Sequence, residues 1–275
     1  MAVKNRSAPT PRENATLVVG LGEVGGAIAA IVERTETVLR HDLDRVEIAA
    51  SVGVMHLCIP FKSSAQFETS AIEYIKRFKP ALTIIHSTVM PGTTRAIARK
   101  CGGAIAYSPV RGKHVRMQED MQRYVKFVAA LNDADAALAE THLQNAGMKT
   151  RRMAKVETLE LAKLAETTYF GVCIAFAQEL NRYADHVRAD YQEAIEFFHE
   201  VECLPRTEYF PGVIGGHCVM PNIELLLRVA PSPVLAAIVE SNERREYECE
   251  HSSISAESIA LGECESGEAK VLGNR

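Results

Sequence analysis

Residues 15–42 read ATLVVGLGEVGGAIAAIVERTETVLRHD, and this stretch decides the fold. Ala15–Gly20 is a short apolar run that ends on glycine, as a buried parallel strand does. Gly20-Leu21-Gly22-Glu23-Val24-Gly25 follows it directly and opens an alanine-rich helix. A second strand, Glu36–Asp42, ends on a carboxylate. Strand, glycine turn, helix, strand and acid in that order form a dinucleotide-binding unit. Gly20 makes the tight turn, Gly22 lets a pyrophosphate approach, and Gly25 permits close helix–strand packing. The phosphates then sit on the helix N-terminus, where unpaired N–H groups and the dipole favour negative charge. Asp42 stands at the spacing for the adenosine ribose hydroxyls and favours NAD over NADP, with Arg40 and Arg45 close by.

The same alternation continues. Gly53–Pro60 is a third strand stopped by proline, Ser64–Phe78 an amphipathic helix, Ala81–His86 a fourth strand and Ala104–Tyr107 a fifth. Tyr124–Leu131 and Met148–Met153 add two strands around a helix over Asp133–Gly147. This rhythm specifies an α/β doubly wound parallel sheet over residues 15–153. Pro60 and Ser87 fall at the carboxyl edge of its strands, where open α/β sheets bind ligands. Ser87 and Thr88 can face a cofactor or substrate there, or serve only the strand-to-helix turn, with Thr93 capping the next helix.

From Val156 to about Asp190 the pattern becomes one long helix, interrupted only by Gly171. Shorter helices follow, so residues 154–246 are expected to be an all-helical domain. Residues 1–14 are a polar lead-in without the apolar core of a signal peptide. The Glu- and Ser-rich stretch over 247–275 is expected to be a disordered acidic tail.

Composition narrows the function. The 275 residues are 47% hydrophobic and 24% charged with a net charge of −4, which gives no electrostatic reason for a nucleic-acid or anionic-membrane partner. The seven cysteines are scattered without a CxxC pair, so no zinc site or disulfide framework is expected and a cytoplasmic setting follows. The histidines do not pair at metal-ligand spacing.

Two chemistry-bearing stretches remain. Lys163 on the long helix shares a face with Thr167; it either snorkels beside Glu166 or supplies a fixed cation to a site. Phe210–Asn222, FPGVIGGHCVMPN, places His217 and Cys218 after Gly215 and Gly216. This loop is either a tight connection between helices or the seat of an exposed nucleophilic thiol.

Taken together, GLGEVG, HSTVMPGTT, YSPVRG, ETLELAKLAETTYFGVCIAFAQELN and FPGVIGGHCVMPN, in this order across residues 15–245, resemble the UDP-glucose/GDP-mannose dehydrogenase family. The resemblance implies a Rossmann-type domain that binds NAD and a central helical domain that forms a homodimer through the long helix. It also implies a small-molecule substrate such as a sugar derivative, and oxidation of a primary alcohol to a carboxylate. Cys218 matches the nucleophile, Lys163 the lysine that stabilises oxyanions, and Thr88 the threonine that helps to position water.

This sequence departs from the family at three polar positions. Val110 stands where the family has a glutamate, Thr167 where it has an asparagine, and Asn222 where it has an aspartate. The segment after Asp42 is also short. With residues past 247 read as a tail, no segment is left for the family's C-terminal nucleotide-holding domain. Three functions are therefore compatible with the sequence. One is a dehydrogenase acting through a thioester on Cys218, another a two-electron dehydrogenase without thioester hydrolysis. The third is a non-catalytic dinucleotide-binding regulator.

Overall fold

Seven strands form one sheet: β1 (Ala15–Val19), β2 (Val38–His41), β3 (Val52–Leu57), β4 (Leu82–Ile85), β5 (Ala104–Tyr107), β6 (Lys126–Ala130) and β7 (Thr150–Arg152). Their spatial order is β2-β1-β3-β4-β5-β6-β7. All neighbours run parallel except β5 and β6, which pair antiparallel through Ala106–Ala130 and Tyr107–Ala129. The computed structural model describes residues 15–42, 51–112, 116–199, 207–215, 218–251 and 269–271. The lead-in over residues 1–14 therefore lies outside the described residues, as do Arg45, Gly216 and His217.

Successive strand residues face opposite sides of a sheet, and both sides are covered here. Val18, Ile84, Ala106 and Val128 pack under α1 (Glu23–Val32) and α5 (Asp133–Asn145), against Ile28, Ile31, Ala139 and Leu143. Leu17, Val19, Leu57 and Ile85 face the other side, against Phe67 of α2 (Ser64–Phe78) and Ile97 of α3 (Thr93–Cys101). Full burial of side chains of this size stabilises by about 1.5–3 kcal/mol each, so the continuous apolar runs read from the sequence become the two-sided core. The chain leaves β1 toward β2 and then crosses to β3 on its other side, which creates a switch point at the carboxyl edge beside β1.

Two compact units divide the chain, Met1–Lys163 and Leu164–Arg275. The division falls inside the long helix α6 (Val156–Val187), 32 residues or about 48 Å of continuous helix. The second unit also holds α7 (Tyr191–His199), α8 (Val219–Val229) and α9 (Pro233–His251). A short antiparallel pair, β8 (Thr207–Tyr209) with β9 (Ala269–Val271), accompanies these helices.

Several boundaries differ from the sequence expectation. α9 runs to His251, past the expected limit at 246, and β9 falls within the stretch read as tail. α8 begins at Val219 and takes Pro221 as its third residue, a position in the first turn where a missing N–H is tolerated. Thr93 does not cap α3: the N-cap is Gly92, with no side-chain cap of its own. The carboxylate of Glu160, on α6, accepts from Gly92 N at 2.6 Å and Thr94 N at 2.9 Å instead. Cys249 is disulfide-bonded, where the cysteine spacing suggested no disulfide framework.

Candidate functional site

The glycine turn meets the steric demands of a phosphate-binding loop. Gly20 has φ +84°, and a Cβ there would lie 2.7 Å from the Cys58 carbonyl oxygen. At Gly25 a Cβ would stand 1.7 Å from the Gly20 oxygen, so α1 could not approach β1 with any side chain present. Gly22, in contrast, has open space around it and caps α1 without a side-chain hydrogen bond. The first N–H groups of a helix lack intrahelical partners, and here they border a cleft of about 600 Å³. Gly22, Glu23, Gly26, Ala27, Arg116 and Glu119 are among its lining residues. Arg116 contributes a cation to that lining which sequence reading missed, because it arrives from about 90 residues downstream.

Asp42 is exposed at the end of β2, and its Oδ2 accepts from Leu21 N at 3.1 Å. The carboxylate thus touches the glycine turn, as an acid that serves the adenosine ribose must. Arg40 is held away by Glu33 in a bidentate pair, 2.8 Å for each bond. That pair holds the Glu33 carboxyl below its ordinary range through the hydrogen bond to Arg40. The residues present fit a dinucleotide: an open glycine, an uncapped helix start and an acid at the ribose position.

At the carboxyl edge, Pro60 is exposed and Thr88 half-buried, while Ser87 Oγ donates to the Ile59 carbonyl at 2.6 Å. Val110, where the resemblance expects a glutamate, packs into the apolar core with Met117 and Met121. Lys126 emerges from β6 under this edge, buried, and its Nζ donates to the carbonyls of Ser108 (2.9 Å) and Pro109 (3.1 Å). Burial pushes the Lys126 amine down to about 7, with Cys58 opposing and Lys163 adding to the shift. The Cys58 thiol is pushed up to about 12 by burial, against the pull of Lys126. A lysine inside the apolar run YVKFVAAL was the available signal for this group.

Three histidines with no sequence relation form a buried row. His86 Nδ1 lies 2.7 Å from the Ser108 carbonyl, and its Nε2 lies 2.8 Å from His56 Nδ1. His56 Nε2 lies 2.9 Å from His142 Nε2, and His142 Nδ1 lies 3.2 Å from Glu36 Oε1. A carbonyl only accepts, so His86 Nδ1 must carry hydrogen; its Nε2 then accepts from His56 Nδ1, and His56 Nε2 from His142 Nε2. Burial lowers the His142 pKa, and the neighbouring Glu36 carboxylate opposes that shift. Because the row ends on a carbonyl oxygen, it holds the Ser108 backbone and does not conduct protons to the edge.

In the second unit, Cys218 is half-buried at the N-cap of α8. Asn222, one turn into that helix, is buried and its Nδ2 donates to Thr167 Oγ1 at 2.7 Å. Two of the three positions that depart from the family pattern therefore touch each other. Together they form a neutral amide–hydroxyl pair with no carboxylate. Gly171 of α6 makes the approach of α8 possible, since a Cβ there would meet Val219 Cγ1 at 2.8 Å and Ile223 Cδ1 at 3.1 Å. Gly215 is exposed, and Lys163 is half-buried as the last residue of the first unit.

A family model described as the UDP-glucose/GDP-mannose dehydrogenase family, central domain, matches residues 157–244. Among curated proteins, UDP-N-acetyl-D-mannosamine dehydrogenase of Pyrococcus horikoshii is 29% identical over 206 residues, 67% of this chain and 48% of that protein. The protein of the same description from Methanocaldococcus jannaschii is 28% identical over 164 residues, 58% of this chain and 38% of that one. The chain thus spans about half or less of the length of these relatives. The solved UDP-D-ManNAc dehydrogenase of P. horikoshii superposes with a TM-score of 0.76 at 21% identity, covering 86% of this chain and 70% of that one. The 3-hydroxyisobutyrate dehydrogenase of Mycobacterium tuberculosis superposes at 0.64 with 14% identity, covering 86% and 94%. At these identities the structural likeness establishes the fold. Among the described residues, no helix is long and apolar enough to cross a membrane.

Proposed function

We propose, from the match of residues 157–244 to the central-domain model of the UDP-glucose/GDP-mannose dehydrogenase family, an NAD-dependent dehydrogenase that oxidises an alcohol or aldehyde of nucleotide-sugar type through Cys218. The observation that carries this reading is the position of Cys218 at the start of α8, inside the matched segment. A helix N-terminus favours negative charge, and the thiolate is the nucleophilic state of cysteine.

Bound NAD would accept a hydride in each of two oxidations, with one water consumed and three protons released from alcohol to carboxylate. The Cys218 thiolate adds to the aldehyde carbon, forming a C–S bond and an alkoxide. The Lys163 ammonium stabilises that oxyanion. Loss of hydride leaves a thioester, and water held by the Thr88 hydroxyl cleaves it, releasing acid and restoring the thiol. Gly20 through Gly25 would hold the pyrophosphate and Asp42 the ribose, with Asp42 disfavouring a 2′-phosphate. Gly215, Gly216 and His217 would border the substrate.

The chain would act as a homodimer through α6. Tyr169, Phe176 and Tyr183, seven residues apart on one face of α6, are 58%, 59% and 67% exposed, with Val187 at 68% beside them. A stripe of that size on a helix needs covering.

A second reading is favoured by Val110 in the core and by the Thr167–Asn222 pair. With no carboxylate at those positions, thioester hydrolysis lacks the proton acceptors that the resemblance places there, and the enzyme would stop after one oxidation or at the acyl stage. The test is NAD with UDP-N-acetylmannosamine, UDP-glucose, GDP-mannose and simple alcohols and aldehydes, counting NADH per substrate consumed. Two NADH per released carboxylate supports the full reaction; one NADH per substrate, or a burst of two per Cys218 with no acid released, supports the second reading. No NADH from any of them, or identical turnover by Cys218→Ala, overturns the proposal.

A further inference from the structure

A loop that presents a reacting side chain must have its backbone held. Residues 212–214 lead toward Cys218 and belong to no strand, yet two side chains give this stretch the partners a strand would. The Gly212 carbonyl accepts from Gln178 Nε2 at 2.7 Å, and Ile214 N donates to Asn242 Oδ1 at 2.7 Å. In extended backbone the carbonyl of one residue and the N–H two residues on face the same side. Here they meet two amides that also touch each other, Gln178 Nε2 donating to Asn242 Oδ1 at 3.3 Å. Gln178 on α6 is fully buried and Asn242 on α9 is 2% exposed.

Backbone chemistry settles how both amides are turned. Ile214 N–H only donates, so Asn242 must offer oxygen; its Nδ2 is left to donate to Glu246 Oε1 at 3.0 Å. The Gly212 carbonyl only accepts, so Gln178 must offer nitrogen; its Oε1 accepts from Ser241 Oγ at 3.0 Å. Behind them, Arg182 donates to the Ser241 carbonyl at 3.1 Å and to Glu248 at 2.9 Å. Every polar atom of the two amides is engaged by at least one partner, and a satisfied buried network of this kind has one arrangement. Gly215 N then turns back to the Val213 carbonyl at 2.9 Å. At the far end of the loop, Gly171 and the Thr167–Asn222 bond hold the first turn of α8.

We propose that Gln178 and Asn242 are positioning residues for Cys218, a side-chain clamp from α6 and α9 that stands in for a neighbouring strand and sets how the thiol is presented. The proposal rests on the reading of Cys218 as the reacting thiol. The clamp itself touches only backbone.

The test alkylates the full-length protein with iodoacetamide across pH 6–9 and follows the mass of the Cys218 peptide, with melting temperature in parallel. Asn242→Leu removes the acceptor for Ile214 N–H, and Gln178→Glu sets an oxygen against the Gly212 carbonyl. Each should change the Cys218 alkylation rate by about tenfold, the scale of one lost hydrogen bond, and displace its pH profile. The double variant Asn242→Asp with Glu246→Gln restores both contacts of residue 242 and should return to within about twofold of wild type. Wild-type rates and pH profile in Asn242→Leu, or no recovery in the double variant, overturn the clamp. Should Asn242→Leu be insoluble, Gln178→Glu decides by the same criterion. Alkylation reads the loop whether or not a substrate turns over. Absence of turnover therefore counts against the dehydrogenase reading, and unaltered alkylation counts against the clamp.

Discussion

Glu160 does for α3 what Thr93 was expected to do, from a helix 66 residues away. Its carboxylate is buried with two backbone N–H groups as partners, and desolvation pushes its pKa up while those bonds oppose the rise. Glu160→Ala leaves Gly92 N and Thr94 N without their acceptor, so stability should fall by about 2–4 kcal/mol, read from the urea midpoint. A change below about 0.5 kcal/mol would show that water replaces the carboxylate. The histidine row predicts a pH dependence. Burial first, then neighbouring positive charge, holds His56 and His86 well below the usual histidine range. Folded, they stay neutral; unfolded, they take up protons near pH 6.5. The unfolded state therefore binds more protons at low pH, and stability is retained above about pH 6.5 and lost as pH falls through it. Below that value the loss should approach about 1.4 kcal/mol per pH unit for each histidine. Denaturation at pH 7.5, 6.5 and 5.5 measures it, and a flat profile would contradict the buried neutral row.

At the scale of elements, α6 carries the second unit's contacts on one side and an apolar stripe on another. Gly171 is the single glycine of that helix, and a side chain there would collide with α8. Gly171→Val should cost about 1–3 kcal/mol through overpacking and displace the turn that begins at Cys218. A wild-type melting temperature would mean that Val219 and Ile223 move aside freely. The exposed face predicts association. Sedimentation of the wild type should give a dimer, and Phe176→Glu with Tyr183→Glu should give a folded monomer, because two buried like charges would oppose the contact. A wild-type monomer at micromolar concentration would exclude α6 as the contact.

At the scale of the molecule, what sequence conveyed and what it hid differ by range of interaction. GLGEVG was legible because the collision at Gly25 is with its own turn, five residues back. The alternating strands were legible because their apolar runs are local. The antiparallel turn from β5 to β6 was not, since strand direction depends on where the chain re-enters the sheet. Glu160, Arg116, the histidine row and the Gln178–Asn242 clamp all depend on partners about 22 to 106 residues apart, which leave no periodic trace. The departures at Thr167 and Asn222 were visible singly, but the bond between them was not. The account turns on Cys218 as a covalent nucleophile in a nicotinamide-dependent oxidation. Its most direct test is acid-quenching the wild-type protein during turnover with NAD and the most active substrate of the panel, then weighing the Cys218 peptide. The account predicts a substrate-derived mass on Cys218 that is absent without NAD when the substrate is an alcohol. An unmodified Cys218 during turnover, with turnover undiminished in Cys218→Ala, would contradict it.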